Sequence, residues 1–272
     1  MAPMNRLIVV RGAGDLATGT IVRLARSGFR VIALETAQPT AIRRTVSLSE
    51  AVFEGSARVE DVEARLAAGA DEALALVSDR LVPIVVDPEG ETIAAMRPFA
   101  LVDAIIAKRN LGTRRGMAEV VVALGPGFTA CMDVDAVIET NRGHDLGRVI
   151  LDGDAAPDTG MPGEIGGATG KRVLHAPEPG RFVALCDIGD SVVIGQVVAA
   201  VEGVRRADIR ASLDGVVRGL LRPGLEVPTG FKVADVDPRG NREHCFTISD
   251  KSRAIGGAVL EALLMLGGLL GA

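Results

Sequence analysis

LIVVRGAGDLATGTIVRLARSGFRVIALE, residues Leu7–Glu35, has the clearest secondary-structure pattern of the chain. Leu7–Arg11 is an apolar run of strand length, and Phe29–Leu34 is a second run of the same kind. Between them the apolar residues recur at helical spacing until Ser27-Gly28, which predicts a helix. A strand, a glycine turn, a helix and a second strand within about 30 residues are typical of a dinucleotide-binding βαβ unit.

The turn after the first strand fits the pattern G-x-G-x-x-A. The first glycine permits a tight turn, and the second lets a phosphate approach the main chain. A pyrophosphate would bind the free N–H groups at the start of the helix, although the carboxylate of Asp15 would repel it. A tight turn that binds no ligand is the alternative. The predicted cofactor-binding residues of this segment are Gly12, Ala13, Gly14, Asp15 and Glu35, of which Glu35 would accept the ribose hydroxyls.

Later predicted strands also end in a carboxylate or a glycine turn, at Asp87, Asp103, Gly125 and Glu139. In open parallel sheets, ligands bind outside the carboxyl ends of the strands, so we expect these ends to line one cleft. The intervening segment Val59–Leu76 is helical in its pattern. Cations in the loops are predicted to bind phosphate, with solvated basic pairs as the alternative, and these cations are Arg43, Arg44, Lys108 and Arg109.

The residue types that could act in catalysis are few, and whether the chain is an enzyme stays open. The candidates are Cys245, Cys131, Asp103 and His144. A buried and inert thiol is the more common fate of a cysteine. The three cysteines lie far apart and form no C-x-x-C motif, so no metal site is predicted.

Composition limits the classes of partner. A net charge of −5 and the absence of Trp and Tyr argue against a nucleic acid. The cysteine pattern and the lack of a signal peptide predict a cytoplasmic location. Ala254–Ala272 is apolar but short and interrupted by glycines, so a helix docked on this chain or on a second subunit is favoured over a membrane span. A homo-oligomer is therefore one possible assembly.

The second half of the chain contains an internal repeat at an offset of 35 residues. Ala176, Gly180 and Gly189, for example, correspond to Ala211, Gly215 and Gly224. Short strand runs between glycine turns, present twice, predict two similar halves that close on each other. The pattern resembles the barrel-sandwich hybrid of biotinyl and lipoyl carrier domains, but the connection 202–208 has no lysine to modify.

These observations predict an α/β chain: a Rossmann-like, mostly parallel sheet, then a smaller all-β barrel-sandwich hybrid and a C-terminal helix. With 272 residues the chain is long enough for two cores. The predicted segments are an α/β domain over 1–153, a linker or long loop over 154–170, the hybrid over 171–240, and a closing segment with the helix over 241–272.

Long motifs spread over the chain resemble one family, the selenium-dependent molybdenum hydroxylase system proteins, which are accessory factors of xanthine dehydrogenase-like enzymes. The motifs are VRGAGDLATG, PTAIRRTVSLSEAVFEG, DAIIAKRNLGT, GPGFTA, VIETNRGHDLGRVI and CFTISDKSRAIGGAVLEA. The resemblance implies a cytoplasmic bacterial protein that helps mature a selenium-dependent molybdenum hydroxylase.

On that hypothesis the partners are the client enzyme or its maturation factors and a small anionic ligand. The bound cofactor would be NAD(P), another dinucleotide, or molybdopterin dinucleotide. The alternative function is an NAD(P)-dependent oxidoreductase of unknown substrate.

Overall fold

The computed structural model describes residues 6–160, 163–164 and 166–269. The chain forms two compact units that alternate along the sequence. Unit 1 comprises Met1–Pro39, Ser47–Thr159 and Ile248–Ala272, and unit 2 comprises Thr40–Val46 and Gly160–Thr247. This division differs from the predicted segments, because the chain enters unit 2 briefly after Pro39 and returns to unit 1 at Ile248. Positions 161, 162 and 165 of the predicted linker lie outside the described residues.

In its described residues, unit 1 contains two sheets and five α-helices. Its helices are α1 (Asp15–Arg26), α2 (Ala51–Glu54), α3 (Ala70–Leu76), α4 (Ile93–Met96) and α5 (Asp250–Leu266). Its strands are β1 (Leu7–Arg11), β2 (Arg30–Glu35), β3 (Ser56–Val59), β4 (Val62–Ala67), β5 (Leu81–Val86), β6 (Ala100–Asp103), β7 (Val120–Leu124), β8 (Thr129–Ala130), β9 (Ala136–Ile138), β10 (Val149–Ile150) and β11 (Gly153–Asp154).

Nine of these strands form one mixed sheet in the order β10-β9-β7-β6-β1-β2-β5-β4-β3. The inner pairs are parallel, whereas β10 and β3 run antiparallel at the two edges. The remaining strands β8 and β11 form a separate antiparallel pair. Ile8, Val9 and Val10 of β1 are fully buried, which is the burial expected of a central strand covered on both faces.

Helix α5 packs against α1 at unusually close range. A Cβ added at Gly19 of α1 would lie 2.6 Å from the Cβ of Ser252, and one at Gly256 would lie 2.7 Å from the carbonyl oxygen of Gly19. The buried side chains Ile255, Val259 and Leu263 follow helical spacing along α5. The final helix is therefore part of the core of unit 1. Among the described residues, every helix is too short or too polar to cross a bilayer.

Unit 2 consists of two four-stranded antiparallel sheets, ordered β12-β19-β17-β14 and β16-β15-β13-β18. The strands are β12 (Val173–His175), β13 (Gly180–Ala184), β14 (Ser191–Val192), β15 (Val197–Glu202), β16 (Arg206–Arg210), β17 (Gly215–Leu220), β18 (Glu226–Val227) and β19 (Lys232–Asp237).

The offset of 35 recurs in the strand pairings of unit 2. Arg181 pairs with Glu202 between β13 and β15, and Val216 pairs with Asp237 between β17 and β19. Gly180 and Gly215 start the two equivalent strands. An added Cβ would lie 2.6 Å from the carbonyl oxygen of Glu202 in the first case and 2.4 Å from that of Asp237 in the second. Both glycines are thus needed for the close approach of a neighbouring main chain.

The predicted fold class, a Rossmann-like sheet followed by a barrel-sandwich hybrid, was wrong, whereas the predicted C-terminal helix is present as α5. The chain has instead a large mixed sheet of nine strands together with further antiparallel sheets. One cause lies in Val59–Leu76, which was predicted as a helix but forms β4 and α3, with β3 and β4 as a hairpin. Its apolar residues fit helical and strand spacing equally well, so periodicity alone does not separate the two.

Candidate functional site

The carboxyl ends of the central parallel strands lie along one edge of the sheet. Arg11 at the end of β1 is aligned with Leu34 of β2 on one side and with Asp103 of β6 on the other. The chain continues from β1 to β2, whereas β6 follows only after the strands on that side are complete. The direction of winding therefore changes between β1 and β6, where open α/β sheets form a crevice suited to a ligand.

The turn after β1 closes tightly at Gly12. Its φ of +97° favours glycine, and an added Cβ would lie 2.9 Å from the carbonyl oxygen of Ala104. The next N–H, that of Ala13, donates to Oε2 of Glu35 at 2.8 Å, and the N–H of Thr36 donates to Oε1 at 2.8 Å. Burial raises the pKa of Glu35 above its ordinary value, against the effect of these two hydrogen bonds. One amide of the predicted phosphate turn is therefore already bound by the protein's own carboxylate.

Helix α1 starts immediately after this turn. Its N-cap is Gly14, which has no side chain to cap the helix, and the N–H of Thr18 closes the first turn on the carbonyl of Gly14 at 2.7 Å. The hydroxyl of Ser252 donates to Oδ1 of Asp15 at 3.0 Å. This bond directs the Asp15 carboxylate to α5, which reduces the conflict with an anion expected from the sequence.

The other carboxylates at strand ends bind the loops that follow them. Asp87 accepts the N–H groups of Gly90, Glu91 and Thr92 at 2.8–3.0 Å. Glu139 accepts those of Asn141 at 2.6 Å and Ala156 at 2.7 Å. Each of these side chains is more than nine-tenths buried. Their oxygens therefore fix loop shape, and we define such contacts as carboxylate–amide clamps.

Asp103, a predicted catalytic candidate, makes a clamp of the same kind. Its Oδ1 accepts the N–H of Ile105 at 3.2 Å, and its Oδ2 accepts the hydroxyl of Thr113 at 2.6 Å. Burial raises the pKa of Asp103, opposed by these hydrogen bonds and by the nearby charge of Arg11. For Asp87 burial acts in the same direction, but the hydrogen bonds from Thr92, Glu91 and Gly90 outweigh it and lower the pKa.

Residues 104–113, the β6 loop, contain the predicted cations Lys108 and Arg109. Lys108 forms an ion pair with Asp158 at 2.7 Å. The main chain of Arg109 lies against the turn after β7, since a Cβ added at Gly127 would lie 2.6 Å from the Arg109 Cα. The exposed Arg109 side chain makes no hydrogen bond or ion pair with the described part of the chain.

The other predicted cations, Arg43 and Arg44, belong to unit 2. One Nη of Arg43 donates to the carbonyls of His244 at 3.0 Å and Thr247 at 3.2 Å. Nε of Arg44 donates to the carbonyl of Leu220 at 2.8 Å. These guanidinium groups bind main-chain carbonyls of unit 2, so they serve its packing.

The remaining catalytic candidates lie in unlike surroundings. Cys245 is fully buried, its thiol donates to the carbonyl of Val217 at 3.6 Å, and burial raises its pKa despite the nearby charges of Arg43 and Arg218. Cys131 and His144 are exposed. Within the described ranges, no cluster of three His, Cys, Asp or Glu side chains could hold a metal ion.

Sequence reasoning assigned no role in the site to Arg11 or Thr113. Arg11 is 2% exposed, and its guanidinium donates to Thr113 Oγ1 at 2.7 Å and to the carbonyl of Pro88 at 2.8 Å. The sequence did contain a signal for Arg11, because an arginine at the end of an otherwise apolar strand needs several polar partners when it is buried.

Comparison with known proteins finds a clearly similar sequence and several distantly similar structures. No family model matches the chain. A protein of Escherichia coli (strain K12), described as "Uncharacterized protein YqeB", is 51% identical over 262 residues, which are 96% of this chain and 48% of that protein. The chain thus spans about half the length of this curated relative.

Several solved structures show a distant likeness. An aspartoacylase family protein from Mesorhizobium loti is 14% identical with a TM-score of 0.29, over 85% of this chain and 86% of that one. A succinylglutamate desuccinylase/aspartoacylase from Rhodobacter sphaeroides is 12% identical with a TM-score of 0.29, over 85% of each chain. The ectoine utilization protein EutE (DoeB) from Ruegeria pomeroyi is 11% identical with a TM-score of 0.30, over 85% and 86%. At these scores the likeness transfers no activity to this chain.

The comparisons overturn the predicted family and function. The structures named above are described as aspartoacylase, desuccinylase and ectoine utilization proteins, and none is a molybdenum hydroxylase accessory protein. The resemblance to the selenium-dependent molybdenum hydroxylase system was therefore wrong. The maturation role and the alternative of an NAD(P)-dependent oxidoreductase are withdrawn with it.

Proposed function

We propose that unit 1 binds a small organic anion, with phosphate or carboxylate groups, in the crevice outside the carboxyl ends of β1 and β6. The observation behind this proposal is the start of α1, which follows the end of β1 and has glycine as its N-cap and no side-chain cap. The first N–H groups of a helix and the positive end of its dipole attract anions.

Two further features support an anionic ligand. Arg109, in the loop whose first residues contact Gly12, has its cation exposed and without a partner among the described residues. The carboxylate–amide clamps fix the loops after β2, β5, β6 and β9, and a fixed rim lowers the entropy cost of binding. Because Glu35 already binds the N–H of Ala13, we expect the anion to bind beyond it, at the amides that follow Gly14.

NAD(P), other dinucleotides and molybdopterin dinucleotide, which the sequence suggested, stay predictions. They share the anionic chemistry proposed here, so a test includes one nicotinamide dinucleotide beside simpler anions.

The sharpest test replaces Gly14 by aspartate. The φ of −69° at Gly14 is open to any residue, and aspartate is among the best N-caps. Its carboxylate would occupy the amides proposed for the ligand. We expect Gly14→Asp to weaken binding of inorganic pyrophosphate, citrate or NAD by about tenfold or more in isothermal titration calorimetry, without lowering the melting temperature.

Gly69→Asp is the matched control. Gly69 is the N-cap of α3, also lacks a side-chain cap, and has open space around an added Cβ. This variant should leave anion binding unchanged. Wild-type protein that binds none of the three probes, or that binds them no better than Gly14→Asp, would refute the proposed function.

A further inference from the structure

We infer that Arg11 is the positioning residue of this site, and that its guanidinium holds the β6 loop, with Arg109, in the conformation that binds the anion. The ligand in this inference rests on the proposed function. The hold on the loop rests on hydrogen bonds that are independent of any ligand.

One guanidinium connects the loops that follow two strands. Nη1 of Arg11 donates to the carbonyl of Leu111 at 3.2 Å and to Thr113 Oγ1 at 2.7 Å, both in the β6 loop. Nη2 donates to the carbonyl of Pro88, after β5, at 2.8 Å. The planar guanidinium, with donors in fixed directions, suits this purpose better than a lysine would.

The hydroxyl of Thr113 connects the guanidinium of Arg11 to the carboxylate of Asp103. Thr113 accepts from Arg11 and donates to Oδ2 of Asp103 at 2.6 Å, while Arg11 and Asp103 lie 3.7 Å apart. Nε of Arg11 is buried and has no acceptor among the described residues. Replacing a buried ion pair as a whole by apolar side chains is often neutral or stabilising, so core stability alone does not require the pair of Arg11 and Asp103 here.

The β6 loop needs such a hold because its main chain is strained. Ile106 has a φ of +59° and Lys108 a φ of +60°, in the left-handed region that a β-branched residue rarely adopts. Such conformations persist where the surrounding structure fixes them, and they are frequent at ligand sites. Since the loop contacts both Gly12 and Gly127, its release would change the crevice on two sides.

Trypsin offers a direct readout, since it cleaves after Lys108 and Arg109. We expect Arg11→Met to speed cleavage at these two bonds about tenfold, as identified by fragment mass, because local opening of the loop becomes easier. Cleavage at Arg205 and Arg206, in the exposed hairpin between β15 and β16, is the internal reference and should keep its rate. Affinity for inorganic pyrophosphate should fall about tenfold in parallel.

Arg115→Met is the control variant, because Arg115 also donates to a main-chain carbonyl, that of Cys131, but lies outside the loop. Arg115→Met should change neither the rate of trypsin cleavage after Lys108 and Arg109 nor the affinity for inorganic pyrophosphate. Unchanged cleavage in Arg11→Met would overturn the inference, and so would faster cleavage with unchanged affinity. If wild-type protein binds none of inorganic pyrophosphate, citrate and NAD while Arg11→Met shows the expected faster cleavage, the proposed function would be refuted and the hold of Arg11 on the loop would stand. If Arg11→Met does not fold, Thr113→Val, which removes the hydroxyl between Arg11 and Asp103, should give the same two changes.

Discussion

Unit 1 and unit 2 both bury carboxylates, but they compensate the negative charge in different ways. Asp87 and Glu139 of unit 1 accept main-chain N–H groups, which bear no net charge. Asp235 and Asp237 of β19, in unit 2, face arginine side chains instead. The first arrangement shapes a loop, whereas the second connects separate elements by opposite charges.

The arginine network of unit 2 extends over several strands. Arg172 pairs with Asp235, and Arg218 lies 3.9 Å from Asp235 and 3.8 Å from Asp237. Arg239 pairs with Asp237 at 2.6 Å. Arg172 and Asp235 are 63 residues apart in sequence, whereas Asp87 binds N–H groups three to five residues later. Loss of a partner in unit 2 therefore leaves a buried cation, which costs more than an unused N–H.

Asp235→Ala should give the largest effect. It leaves Arg172 and Arg218 buried without this carboxylate, and breaking a buried ion pair typically costs about 3–5 kcal/mol. The measurement is urea unfolding followed by far-UV circular dichroism, since the chain has no Trp or Tyr. Asp208→Ala, which removes the exposed partner of Arg206 and Arg210, should cost at most about 0.5 kcal/mol. Equal losses in the two variants would show that the buried ion pairs of Asp235 stabilise unit 2 no more than the exposed pairs of Asp208 do.

Glu139→Gln should give a smaller effect in unit 1. The amide of glutamine keeps one acceptor and presents an NH₂ to the other main-chain N–H, so one of the two clamped amides loses its partner. We expect a loss of about 1–3 kcal/mol and faster hydrogen exchange at Asn141 or Ala156. Glu63→Gln, at an exposed residue paired with Arg65, is the control and should be nearly neutral. A loss of unfolding free energy as large as that of Asp235→Ala would contradict the expectation that an unpaired main-chain N–H costs less than an unpaired buried arginine.

The same contrast explains how far the sequence could predict this molecule. The local order of β1, α1 and β2 follows from spacing within Leu7–Glu35. The alignment of strand ends at one edge follows from parallel pairing, but that β6 with Asp103 is the direct neighbour of β1 does not follow from the sequence. The spacing of residues does not show which group each carboxylate binds. The same Asp or Glu suits a ligand or a neighbouring N–H, and here the described oxygens bind the protein's own loops.

Distance along the chain does not show that Arg43 and Arg44 belong to unit 2. They follow β2 closely, so a site at the end of β2 was expected to include them. The chain instead leaves unit 1 after Pro39 and returns at Ser47, and the intervening residues pack with unit 2. Ile42 belongs to the apolar core of unit 2, and its carbonyl accepts the N–H of Leu220. Such a short excursion has no composition that distinguishes it from an ordinary loop.

The dependence of stability on pH gives the smallest and most specific test, because Glu35 of unit 1 and Asp237 of unit 2 have carboxyl pKa values shifted in opposite directions. Burial raises the pKa of Glu35 above 4.5, so its contribution to stability is present below that value and is lost as pH rises through the folded-state pKa. For Asp237 burial is outweighed by hydrogen bonds from Arg239 and by the charges of Arg239 and Arg218, which lower the pKa below 3.8.

The contribution of Asp237 is thus present above 3.8 and is lost as pH falls through its folded-state pKa. Between about pH 3 and pH 8, the losses of unfolding free energy caused by Glu35→Gln and by Asp237→Asn should therefore change in opposite directions. The advantage of wild type over Glu35→Gln should decrease with rising pH, and its advantage over Asp237→Asn should increase. Slopes of the same sign would contradict the opposite pKa shifts of Glu35 and Asp237.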